Sequence, residues 1–204
     1  MKQTLFLLTA VLAFACVGPI DSPKVAGTQL NDDDLKVLSV ALDAALTAEY
    51  RRMDTAGAAR LVTPDRTILA CDPPQRQPLT YDCMEFDDLK AVSGYVGELF
   101  GENGVRMFRE RNRVASSIRD HVEGLQVVPA DALLNLLQQP RWESELHSLF
   151  PGKQGVVVFS SPTYPLQGQA IVYVLHAVSA ATLVHLGQDA AGWKMKAVRV
   201  LWVS

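Results

Sequence analysis

Hydrophobic positions recur at helical spacing through the segment that begins at Asn31. Three aspartates follow Asn31, and apolar residues then return every three or four positions as far as Met53. This pattern predicts a helix with Asn31 as its N-cap and the aspartates in the first turn, where the helix dipole favours anions. The segment has no central glycine or distal glutamate at EF-hand spacing, so capping explains the aspartates better than calcium binding.

More helices are predicted downstream by the same period. Residues 87–100 and 105–124 both show it, and Gly101 and Gly104 are predicted to separate them into two helices. Two shorter helices are predicted at residues 130–139 and 142–150.

After residue 152 the chain consists of β-branched and aromatic runs with short turns between them. Four runs are predicted as the strands of an antiparallel meander, namely residues 155–161, 169–178, 181–188 and 193–204. The last run changes parity, which predicts a bulge or burial on both sides. A further short strand is predicted at residues 67–71. Residues 31–204 are therefore predicted to form one α+β domain, with a helical N-terminal part packed on a C-terminal four-stranded antiparallel sheet.

The N-terminus has an apolar run without helical periodicity. Residues 4–15 follow Lys2 and end in an A-x-A cleavage pattern. The run is shorter than the roughly 20 residues of a membrane-spanning helix, and it is typical of a signal peptide. Residues 1–15 are thus predicted to be a signal peptide and residues 16–30, rich in Gly and Pro, a tether. No transmembrane helix is predicted in the mature chain.

Cys16 follows directly after this cleavage pattern. The arrangement resembles the lipobox of bacterial lipoproteins, in which the cysteine is acylated and becomes the first mature residue. The resemblance implies a lipid anchor at Cys16, and Val17, which replaces an acidic residue linked with inner-membrane retention, implies the periplasmic side of the outer membrane. Ala13 stands where the family prefers Leu. Secretion into the periplasm or medium with a free Cys16 is the alternative.

The composition and the number of cysteines further narrow the class of protein to which the chain can belong. A chain of 204 residues with 49% apolar residues suits one globular domain, and a net charge of −3 argues against a nucleic-acid partner. With Cys16 acylated, Cys71 and Cys83 remain, and they are predicted to form a disulfide in an oxidising periplasm. A metal site or a catalytic thiol is disfavoured, because no histidine or activating base lies nearby in sequence.

The C-terminal third also resembles small, uncharacterised bacterial lipoproteins and secreted proteins. The residues that carry this resemblance are Trp142, Phe150, Pro151, Gly152, Phe159, Ser160, the Ala170-Ile171-Val172-Tyr173-Val174 strand, Leu183 to Leu186, Gly192-Trp193-Lys194 and Trp202-Val203-Ser204. The resemblance implies a C-terminal antiparallel sheet. It implies no activity.

No strong catalytic motif is present, and the four histidines are dispersed in sequence. A turn centred on Ser179 and Ala180 would pair His176 with Leu183 and place His176 and His185 on one face, roughly 7–8 Å apart. That geometry suggests a zinc or acid–base site, although neither strand supplies a carboxylate to orient the rings. Ser160 is a candidate nucleophile without an evident base or oxyanion hole.

Three arginines form the most distinctive charged feature. On a helix, Arg106, Arg109 and Arg113 would lie along one stripe. Such a stripe suits the binding of a carboxylate, a phosphate or an acidic partner, and a solvated helix face is the alternative.

Together these patterns predict a non-enzymatic, exported and lipid-anchored envelope protein that binds a protein or an envelope component. An immunity-type protein that neutralises a toxic effector is one specific version. The alternative is a small periplasmic hydrolase that uses His176, His185 or Ser160. Neither metal nor cofactor is expected.

Overall fold

A computed structural model describes residues 28–50, 61–71, 82–118, 122–123, 125–177 and 179–203. Within these ranges the chain is α+β, with four helices and a mixed sheet of seven strands. The predicted signal peptide and Cys16 lie outside the described residues. None of the helices in the described ranges has the length and apolar character needed to cross a membrane.

The helices are α1 (Asp32–Tyr50), α2 (Phe86–Arg111), α3 (Ala130–Leu137) and α4 (Trp142–Leu149). Asn31 caps α1 as predicted, because its side-chain oxygen accepts hydrogen bonds from the N–H groups of Asp33 and Asp34 at 2.9 and 2.8 Å. Leu30 is buried and its N–H donates to Ser117. The folded part therefore includes residues 28–30, which were predicted to belong to the tether.

Helix α2 is kinked at Gly101, where φ is 66° and the backbone is not helical, which confirms the predicted break at this glycine. The backbone stays helical at Gly104, where the sequence also predicted a break. The helix ends at Arg111, so the prediction of helix as far as residue 124 was wrong. The buried side chain of Asn112 explains this end: its amide nitrogen donates to the Phe108 carbonyl at 3.0 Å and its oxygen accepts from the Ser161 N–H at 2.7 Å. These bonds compete with continuation of the helix.

The strands are β1 (Leu61–Pro64), β2 (Gln126–Val128), β3 (Gly155–Phe159), β4 (Thr163–Leu166), β5 (Gln169–His176), β6 (Ala180–Asp189) and β7 (Gly192–Val203). Their order is β2-β1-β3-β5-β6-β7, with β4 also beside β5. Strand β1 is parallel to β2 and to β3, and the other pairs are antiparallel. Two register shifts between β6 and β7 confirm the predicted bulge.

The prediction of a four-stranded sheet was therefore wrong in size. The four predicted strands are antiparallel to their neighbours among them, but the whole sheet is mixed because β1 pairs in parallel with β2 and β3. The four predicted runs correspond to β3, β5, β6 and β7, and three short strands join them. Strands β1 and β2 are too short to show alternation, and β4 contains Pro165 inside a segment that resembles a turn. Residues 67–71 form isolated bridges and no strand, with Ile68 opposite Ser160 and Leu69 opposite Cys83.

Helices cover both faces of the sheet, and each face has its own apolar core. On β5, Val172 and Val174 belong to the cluster that includes Leu38 of α1. The alternate residues, Ile171 and Tyr173, belong to the cluster formed with α2, α3 and α4. Strand β5 is therefore buried on both sides, which explains why its sequence is an almost continuous apolar run.

The structure places the sulfur atoms of Cys71 and Cys83 at disulfide distance, with their Cα atoms 5.6 Å apart. The backbone next to them is also paired, because Leu69 accepts from the Met84 N–H and donates to the Asp82 carbonyl, both at 2.8 Å. Backbone hydrogen bonds thus hold the two segments that carry the cysteines side by side.

We expect replacement of both Cys71 and Cys83 by serine to lower the free energy of unfolding by about 3 kcal/mol, because a bond across this short loop restricts the unfolded chain. Denaturant unfolding without reductant measures the change, and reduced wild type is the matched control. Alkylation of both thiols in unreduced, folded wild type would contradict the bond.

Candidate functional site

The two histidines proposed for a shared site lie on opposite faces of the sheet. The register pairs His176 with Ala180 and His185 with Ile171, so the predicted pairing of His176 with Leu183 was wrong. The centre of the turn lies earlier in the chain than predicted, so the sum of the residue numbers in each pair changes by an odd amount. Such a change moves one of the two side chains to the other face.

His185 is part of the core. Its Nε2 lies 2.8 Å from Oε1 of Gln169, and its ring packs edge-on against Phe100. Burial, and then the charge of Lys196, lowers the pKa of His185 and favours the neutral ring. This environment suits a packed, hydrogen-bonded side chain.

The other hydrolase candidates are not assembled into a site either. Ser160 is fully buried, and its hydroxyl oxygen accepts a hydrogen bond from the Tyr173 N–H at 2.9 Å. His176 contacts Ser179 within the β5–β6 turn, with Nδ1 2.6 Å from the serine oxygen. In the ranges described, no group of three or more His, Cys, Asp or Glu residues is arranged to hold a metal ion.

The predicted arginine stripe is divided by the end of α2. Arg106 forms an exposed ion pair with Glu110 at 3.1 Å, and Arg109 reaches Ser93 at 3.5 Å. Arg113 lies beyond the helix end at Arg111. The three side chains therefore do not continue along one helix face.

An open groove of about 350 Å³ lies where the start of α1, the β4–β5 turn and the β6–β7 hairpin meet. The lining of the groove includes Asn31, Asp33, Tyr164, Gln167, Gln188 and Trp193. The sequence pattern singled out Asn31 as a cap and Trp193 as a sheet residue, and neither as part of a binding site. No local pattern joins these residues, because they come from the start of α1, the β4–β5 turn and the β6–β7 hairpin.

Backbone contacts between the two hairpins shape the groove. Gln167 and Gly168 connect β4 to β5, and Gly168 has φ of 67°, which favours glycine in this tight turn. The Gln188 N–H donates to the Gly168 carbonyl at 2.8 Å and ties the β4–β5 turn to β6. Gln188 is paired with Trp193 across the β6–β7 ladder. The two glutamines and the tryptophan are thereby held at one edge.

The aromatic rings of the groove are fixed through their polar atoms. Trp193 Nε1 donates to Asp33 Oδ1 at 3.2 Å, and the Tyr164 hydroxyl donates to Asp34 Oδ1 at 2.7 Å. The two ring centroids are 5.8 Å apart. Burial, and then the bond to Asp34, raises the pKa of Tyr164 far above its usual value and keeps the hydroxyl protonated.

Asp34 supports the groove from beneath. Its side chain is 2% exposed, and its Oδ2 accepts from Arg111 Nη2 at 3.3 Å and from the Asn31 N–H at 3.2 Å. Arg111 also donates from Nε to the Pro162 carbonyl at 3.3 Å. A buried carboxylate needs such partners, because desolvation alone costs several kcal/mol.

A second buried carboxylate, Asp88, lies on the other face at the start of α2. It accepts hydrogen bonds from the Tyr173 hydroxyl and, at 2.8 Å, from Trp202 Nε1. Burial raises the pKa of Asp88, although the two hydrogen bonds oppose that rise. Asp88 is itself almost wholly buried, so its role is to join α2 to the sheet.

Replacement of Arg111 by methionine is expected to destabilise the fold by about 2–4 kcal/mol, because the buried Asp34 carboxylate would lose its cationic partner. Arg106→Met is the matched control on the same helix, and its exposed ion pair predicts a change of at most about 0.5 kcal/mol. Denaturant unfolding measures both variants. Equal effects would contradict the role assigned to Arg111.

The variant Asp88→Asn tests how the second buried carboxylate makes the stability of the fold depend on pH. The folded pKa of Asp88 lies above its ordinary value of 3.8, so the folded state retains the proton to higher pH than the unfolded chain. The contribution of Asp88 to stability is therefore largest below about pH 4 and declines as pH rises through the folded pKa. As the pH rises from 4 to 7, we therefore expect the free energy of unfolding of Asp88→Asn to increase relative to that of wild type.

Unfolding at several pH values measures this difference, and Asp87→Asn, an exposed neighbour on the same helical turn, is the control for loss of helix charge. A difference between Asp88→Asn and wild type that is constant with pH, or that falls as pH rises, would contradict the prediction.

Comparison of the chain with protein-family models, with curated proteins and with solved structures finds no match in any of the three.

Proposed function

We propose that this chain is an exported envelope protein, lipid-anchored through Cys16 on the periplasmic side of the outer membrane, which binds an envelope component or a protein without catalysing a reaction. The groove beside Trp193 is the observation that carries the binding part of this proposal.

The groove supports binding because its apolar surfaces are fixed before a ligand arrives. The Tyr164 and Trp193 rings are held by Asp34 and Asp33 respectively, so little side-chain freedom is lost on binding. A volume of about 350 Å³ lies at the low end of the size range of small-molecule sites.

The N-terminal sequence and the cysteine pair support the location. The apolar run, the cleavage pattern and Cys16 occur in the order that export and acylation require. The distance between Cys71 and Cys83 suits a disulfide, and disulfides persist in oxidising compartments such as the periplasm.

The hydrolase alternative has less support. A serine hydrolase needs the nucleophile within hydrogen-bond reach of its base and open to substrate. Ser160 is fully buried and bonded to backbone, and His176 and His185 lie on opposite faces of the sheet.

Fatty-acid labelling and fractionation of a Gram-negative host that expresses the full chain test the anchor. We expect wild type to incorporate label and to fractionate with the outer membrane, and Cys16→Ser to lose the label and become periplasmic. The Cys71→Ser, Cys83→Ser double variant is the control and should keep the label. Cytoplasmic retention of wild type would overturn export, and unlabelled periplasmic protein would overturn the anchor alone.

Sedimentation of the purified Cys16→Ser chain with isolated cell envelopes tests binding apart from the anchor. When Trp193→Ala is introduced into the Cys16→Ser chain, we expect the association with envelopes to weaken at least about tenfold, as truncation of a central aromatic contact usually does. His176→Ala should leave the association unchanged. Loss of association with His176→Ala and not with Trp193→Ala would favour the hydrolase alternative.

A further inference from the structure

The groove offers a ligand the carbon surfaces of two aromatic rings. The indole N–H of Trp193 and the hydroxyl of Tyr164 are already used by Asp33 and Asp34. Both rings are half-buried, so part of each ring surface remains open. The atoms left for a ligand are mainly ring carbons, which favour a ligand with an apolar face.

Side-chain amides line the same groove. Gln167 and Gln188 are exposed and have no hydrogen-bond partner for their amide groups within the described residues. Asn31 uses its oxygen to cap α1, and its amide nitrogen likewise has no partner in the described part of the chain. Each glutamine amide can both donate and accept, which matches hydroxyl groups, since these also do both.

The charges around the groove disfavour an anionic ligand. Asp33 is the charged residue in the lining, and no lysine or arginine lines the groove among the described residues. Lys194, next to Trp193 in sequence, is paired with Asp189 at 2.7 Å. The dominant local charge is negative, so a phosphate or carboxylate would be repelled.

We propose that this groove binds a neutral sugar unit of a cell-envelope glycan. The apolar C–H face of the sugar ring lies against Trp193, and its hydroxyl groups exchange hydrogen bonds with Gln167 and Gln188. This inference rests on the binding function proposed above and adds the chemical class of the ligand. The combination of an apolar ring face with groups that donate and accept is a property of neutral sugars that simple ions and lipid chains lack.

Isothermal titration of the full chain in detergent tests this assignment. The probes are neutral oligosaccharides of N-acetylglucosamine and of glucose, and an anionic galacturonate oligomer. We expect at least one neutral probe to bind and the anionic probe to bind at least about tenfold more weakly, a difference of 1.4 kcal/mol.

Substitutions in the groove and away from it test whether the sugar binds at this site. Trp193→Ala should lower the affinity for the neutral probe at least about tenfold, and Trp193→Phe should restore part of it. Gln188→Ala should also weaken binding, whereas Gln126→Ala, an exposed glutamine on the distant strand β2, should have no effect. Gln188 is exposed, so its replacement keeps the test valid if Trp193→Ala fails to fold.

Three outcomes would overturn the inference. Neutral-sugar binding that is unaffected by both Gln188→Ala and Trp193→Phe would place the site elsewhere. Preference for the anionic probe would contradict the assigned chemistry. Failure of every oligosaccharide to bind, while the Cys16→Ser chain still sediments with envelopes through Trp193, would reject the sugar and leave the proposed binding function in place.

Discussion

The buried carboxylate of Asp34 constrains how α1, α2 and β4 meet. It lies in the first turn of α1, and it accepts hydrogen bonds from Arg111 at the end of α2 and from Tyr164 on β4. A carboxylate that is 2% exposed is tolerated only when its hydrogen-bond and ion-pair partners have good geometry. The relative positions of the three elements are therefore restricted by one charge, and so is the aromatic part of the groove.

The same contact between a helix and the sheet, through a buried aspartate, occurs on both faces of the sheet. Asp34 and Asp88 are each the third residue of a helix, and each accepts a hydrogen bond from a tyrosine of the sheet, Tyr164 or Tyr173. The two tryptophans of β7 follow the same rule, because each donates its indole N–H to a first-turn aspartate. On the α2 face the acceptor is buried, whereas on the α1 face Asp33 is exposed and the indole borders a groove.

Local patterns predicted the elements that have a clear apolar period or a capping residue. The start of α1 follows from the Asn31 cap, and the helices near residues 130–139 and 142–150 and four strands follow from periodicity and turn residues. The patterns did not predict the end of α2, because Asn112 stops the helix through a bond to Ser161, 49 residues away. Strands of three or four residues, such as β2, are too short to alternate visibly.

The sequence by itself determined which segments become α1, α3, α4 and the long strands, and which two cysteines can meet, since these depend on near neighbours and on residue chemistry. Only the tertiary structure decided that His176 and His185 lie on opposite faces, that Arg111 is the arginine paired with Asp34, and that Trp193 borders a groove. Strand register and contacts across 77 or 130 residues depend on how all elements bury their apolar faces together. No local period contains that information.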